Sequence, residues 1–90
     1  MSYPAKILFK RLKDGEDLIE AIEKIATEAG IKTALLTVIG MVKNPLLAYY
    51  AGPEKGYAVN KLEGVYELVS CIGNLTLLNG KPFIHLHAVV

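Results

Sequence analysis

Between residues 16 and 29 the apolar positions Leu18, Ile22, Ile25 and Ala29 return at helical intervals, with Ile19 and Ala26 widening the stripe. Glu16, Asp17, Glu20, Glu23, Lys24 and Glu28 take the opposite side. The pattern predicts one amphipathic helix, capped at Asp14 or Gly15 and stopped by Gly30 in a left-handed conformation. Its first acids suit the positive end of the helix dipole.

Elsewhere the pattern is extended. Residues 5–12 alternate loosely, with Ile7 and Phe9 on one side and Leu8 on the other, and read as a first strand ending at Asp14-Gly15. Residues 32–40 are apolar and β-branched enough for a buried strand, and Pro45 separates them from a strand at 46–51. Residues 52–56 are a Gly- and Pro-bearing loop. Residues 65–78 predict a long bent strand, where Gly73 marks a bulge or the close approach of another backbone. Asn79-Gly80 is the strongest hairpin signal, so this strand should fold back antiparallel on residues 82–90. No repeat, low-complexity tract or linker divides the 90 residues, which read as one domain.

The last strand carries both histidines of the chain, His85 and His87. Side chains two apart on a strand share a face, and their Cα atoms lie about 6.6 Å apart at a rise of ~3.3 Å per residue. Two ring nitrogens can then converge on one divalent ion such as zinc at ~2.0–2.1 Å. A zinc site uses three or four protein ligands, and the companions in the sequence are Cys71, Glu67, Glu63 or a helix acid. The alternative is two packed or hydrogen-bonded histidines. Glu67 is an acid inside an apolar strand, which needs a partner if buried and none at a wet edge. Cys71 reads as a small buried hydrophobe, since nothing beside it in sequence would lower its pKa. The hairpin sets the histidines opposite the stretch from Cys71 to Thr76, so Cys71 and Asn74 join them as candidate pocket residues, and Glu67 is added as the acid of the same long strand.

Hydrophobic residues make up 52% of the chain, a surplus for so small a domain, and the expected cover is another copy. A net charge of +1 gives no field to gather phosphate backbone, and Lys10 and Arg11 would point to opposite sides of a strand. One cysteine cannot form an internal disulfide, no signal-peptide pattern opens the chain, and no apolar run reaches the ~20 residues of a membrane helix. A cytoplasmic protein without a membrane partner is the expectation. No glycine-rich phosphate loop precedes the helix, which argues against a nucleotide site.

The order of motifs resembles the PPC domain, the plant and prokaryote conserved domain. Arg11-Leu12 with Gly15-Glu16-Asp17-Leu18, Ile39-Gly40, Leu47-Ala48-Tyr49-Tyr50, Tyr66-Glu67-Leu68-Val69-Ser70, Gly73-Asn74-Leu75 and the stretch from Gly80 to Ala88 carry the resemblance through essentially the whole chain. It implies an α+β domain, an antiparallel β-sheet with one main helix, similar in fold to acetolactate decarboxylase and assembled as a homotrimer. It also implies a metal held by the histidines matching His85 and His87, with a third from a later Gly-Gly-His segment. The family's domain continues past the His-Leu-His strand, so the chain is expected to be incomplete at its C-terminus. Ala51 stands where an acid often follows the paired tyrosines, and the AT-hook of the plant proteins is missing.

Three functions follow. The first is an oligomeric binding domain holding a divalent metal or small ligand through His85 and His87 at a subunit boundary. The second is a DNA-associated protein, as the plant relatives suggest, which charge does not support. The third, weighed last, is a metal-dependent enzyme with Glu67 moving protons, which rests on analogy of fold.

Overall fold

The computed structural model describes residues 6–90. One helix, α1 (Leu18–Ala29), lies against a sheet, and seven strands follow it: β1 (Ala34–Thr37), β2 (Gly40–Lys43), β3 (Leu46–Tyr50), β4 (Tyr57–Lys61), β5 (Val65–Leu68), β6 (Ser70–Leu78) and β7 (Lys81–Val89). All pairings are antiparallel. The α+β class with one main helix therefore holds.

The helix begins two residues later than its periodicity suggests. Asp17, rather than Asp14 or Gly15, is the N-cap, and its carboxylate accepts the Glu20 N–H at 3.0 Å. Gly30 ends the helix at φ 68°, and Ile31 donates its N–H to the Ala26 carbonyl at 2.9 Å, the wrap of a Schellman stop. Ala21 and Ala26 are buried, and such small residues let the helix approach β7 closely.

Residues 6–12 form no strand, which corrects the reading of 5–12; Ala5 lies outside the described residues. The alternation there says only that the segment is able to be a strand. No strand of the described residues pairs with it, and Ile7 and Phe9 are 90% and 93% exposed.

Strands β1 to β3 run out and β4 to β6 run back as one long ribbon. Thr37 faces Ile72 and Gly40 faces Leu68, three residues outward against four on the return. Lys43 faces Val65 and Leu46 faces Lys61, again three against four. Each junction thus holds an extra residue on the returning side, the count of a β-bulge. At the outer one Asn44, with φ 47°, takes the Gly64 N–H on its side-chain oxygen at 2.8 Å and gives its own N–H to the Gly64 carbonyl at 2.8 Å. At the inner one Val69 leaves the ribbon and donates to the Val89 carbonyl at 2.8 Å. The strand expected at 65–78 is therefore two, broken at Val69 rather than at Gly73.

Strand β6 turns into β7 through Asn79 (φ 54°) and Gly80 (φ 76°), the two positive values of a type I′ turn. Gly73 sits in unbroken register opposite Leu86, and a Cβ there would overlap the His85 carbonyl. The close approach of a second backbone is the correct one of its two sequence readings.

Alternation then sorts the β1–β6–β7 sheet into two faces. Cys71 and Leu75, with Ala88 and Ile84 opposite, form the buried side, where Leu75 is 1% exposed. Ile72, Asn74, His85 and His87 take the other.

Candidate metal centre

His85 pairs with Asn74 and His87 with Ile72, so all four side chains share the face away from the core. Strand β1 adds Leu35, opposite Asn74, and Thr37, opposite Ile72. Together they line an open hollow of about 380 Å³. On its β1 side Leu35 is 92% exposed. A larger hollow, about 620 Å³, lies between the helix C-terminus and the β6–β7 turn, where its charged neighbours are Glu23, Lys32 and Lys81. It gathers no set of metal-ligating side chains, so the histidine face is the site.

The two imidazoles turn toward each other. Their Nε2 atoms are 3.2 Å apart and their ring centroids 5.1 Å, with the planes tilted by 56°. Two states fit that spacing. In one, one Nε2–H donates to the other nitrogen. In the other, both nitrogens keep a lone pair free and direct them to a common point, since two Zn–N bonds of ~2.05 Å enclosing an angle of roughly 100° separate their nitrogens by about 3.2 Å. The residues thus fit two corners of a tetrahedral ion.

The remaining candidates are dispersed. Asn74 is adjacent across the ladder, as the turn register requires. Cys71 is buried on the opposite face, against the helix side, and burial pushes its thiol pKa up from 9.0. Glu67 is exposed on β5 opposite Met41, in the ribbon. Among the described residues no three of His, Cys, Asp and Glu converge on one point. Leu35 and Thr37 are the lining residues that the sequence does not announce. Their place depends on β1 reaching β6 across the length of the ribbon, a pairing that leaves no local signal.

The fold and site define an α+β domain with a strand-borne histidine pair on an uncovered sheet face. The model of the Plants and Prokaryotes Conserved (PCC) domain matches residues 3–90, and the chain belongs to that family. Among solved structures it is similar to a plant- and prokaryote-conserved (PPC) protein from Pyrococcus horikoshii, at 42% identity and TM-score 0.82 over 86% of this chain and 54% of that one. It is also similar to a metal-containing protein from Archaeoglobus fulgidus, at 35% identity and TM-score 0.81 over 86% of this chain and 55% of that one. A candidate DNA-binding protein from Bacteroides thetaiotaomicron, 22% identical, shares the fold with TM-score 0.73 over 79% of this chain and 50% of that one. The chain spans about half the length of each of these three structures. No curated protein matches it. Among the described residues no helix is long and apolar enough to cross a membrane.

Proposed function

We propose that this domain binds a divalent metal ion such as zinc through His85 and His87, in a homo-oligomer that brings further groups to the ion. The observation that carries this reading is the 3.2 Å separation of two Nε2 atoms held on neighbouring same-face positions of β7. The likeness to the Archaeoglobus protein, which contains a metal, supports it. So does the uncovered apolar surface beside the rings, with Leu35 and Ile72 both exposed. The trimer implied by the family resemblance is the assembly proposed.

Both rings must be neutral at Nε2, with the protons on Nδ1, for the pair to serve as ligands. His85 and His87 would hold a divalent ion, which would supply Lewis-acid chemistry there. Asn74 and Thr37 stand beside it as hydrogen-bonding groups, and Leu35 and Ile72 as apolar ones. The lining holds no carboxylate, so the reading stops at binding and assigns no reaction. A net charge of +1 gives DNA association no electrostatic support.

Calorimetric titration with zinc tests the proposal. The parent should bind saturably, and His85→Ala and His87→Ala should each weaken binding by about tenfold or more while keeping the circular dichroism of the fold. Parent protein without saturable uptake, or two folded variants that bind as tightly as the parent, would overturn it.

A further inference from the structure

The β6–β7 hairpin outruns the strand beside it. Strand β1 pairs only Ile72 to Leu75 of β6, so beyond Leu75 the hairpin consists of two strands and the Asn79-Gly80 turn. Two-stranded tips open locally while the rest of a fold stays intact. Asn79 and Gly80 are both exposed, and among the described residues no carbonyl accepts the Gly80 N–H. We propose that Asn79-Gly80 is a self-modification site, at which the chain converts Asn79 with water to isoaspartate and so unzips the tip of the hairpin that carries the histidines.

The Gly80 amide nitrogen, having given its proton to solvent base, attacks Cγ of the Asn79 side chain. The new N–C bond closes a succinimide ring, the Cγ–Nδ2 bond breaks, and ammonia leaves with a proton from water. Water then opens the ring at either carbonyl. Opening at Cγ restores the original backbone with an aspartate, and opening at the α-carbonyl leaves the main chain running through Cβ, an isoaspartate. Ring closure is intramolecular, and glycine has no Cβ to obstruct it. The other asparagines lack these conditions. Asn44 precedes Pro45, which has no N–H to lose, and its side-chain oxygen is held by the Gly64 N–H. Asn60 and Asn74 lie within ladders, followed by Lys61 and Leu75, whose side chains crowd the attacking nitrogen. Lys32 and Lys81 line the hollow beside Gly80 against Glu23 alone, an excess of positive charge that favours the amide anion.

The type I′ turn is made by two residues with positive φ, 54° and 76°. Isoaspartate lengthens that turn by a methylene carbon, so Leu78 and Lys81 no longer meet in register. The new carboxylate also takes the net charge from +1 to zero. The misfit is passed along the ladder that sets His85 and His87.

Incubation of the full chain at mildly alkaline pH, followed by peptide mapping, tests the site. Asn79 should be lost first, with release of ammonia and isoaspartate detected there by enzymatic methyl transfer, while Asn44, Asn60 and Asn74 persist. An Asn79 that stays intact, that outlasts any of the other three, or that yields no isoaspartate overturns the proposal. The reacted chains, one charge lower, separate from the parent on an ion exchanger, so no variant that fails to fold is needed. The reacted fraction should unfold at lower urea than the parent, and equal midpoints overturn the unzipping. Neither readout involves a metal, so both are independent of the function proposed above.

Discussion

The helix-backed sheet and the ribbon that extends from it are both antiparallel, both largely apolar, and joined by continuous chain. In the sheet, β6 is paired on both edges and has a helix over one face, so Cys71 and Leu75 vanish from solvent. In the ribbon each strand has one partner, and Leu46, Tyr49, Tyr50, Tyr57 and Val59 at its outer end stay wet. Two-stranded ribbons are marginal alone, so the ribbon draws its order from the bulged junctions that tie it to the sheet or from a surface it meets. Burial here follows from the number of layers around a strand rather than from composition.

Four substitutions sharpen that contrast. The largest effect should come from Gly73→Val in the sheet, where the new Cβ meets the His85 carbonyl and neither backbone can yield without breaking the β6–β7 ladder. A loss of about 3 kcal/mol or more in urea unfolding is expected, and a loss below ~1 kcal/mol would show that the two backbones are not so close. Next, Leu75→Ala should cost about 2–5 kcal/mol, while Leu46→Ala in the ribbon should change stability by no more than ~0.5 kcal/mol under dilute conditions. Equal losses at the two sites would erase the distinction between core and ribbon. The smallest effect belongs to Lys43, whose ammonium lies 3.0 Å from Asp14 and ties the ribbon to the loop before the helix. Both groups are well exposed, so Lys43→Ala should cost at most ~0.5 kcal/mol and the loss should shrink with added salt.

The helix was legible because a 3.6-residue period persists over a dozen positions and ends at a glycine. The β6–β7 hairpin was legible because Asn79-Gly80 admits few other conformations. Strands β2 and β4 were not read, since each has only four or five residues and a partner set by nested pairing at long range. The single residue Val69 divides two strands because it bonds to β7 instead of β1 or β2, a choice that its side chain does not encode. At the site, two residues' separation on a strand was enough to join His85 and His87, and the turn register added Asn74. Glu67 and Cys71, named beside them from the sequence, went elsewhere: one into the ribbon, the other to the face beneath the helix. Residues 6–12 show the same limit, since alternation without a partner produced no strand.

The placement of both imidazoles on β7 has a thermodynamic consequence. Donors from separate elements must be held together by tertiary packing, and any breathing between those elements loosens their grip. Here the peptide between the rings is the linker of a two-toothed chelator, stiffened by a β-ladder. Most of the entropy of bringing the teeth together is spent when the hairpin forms, before anything arrives to be gripped.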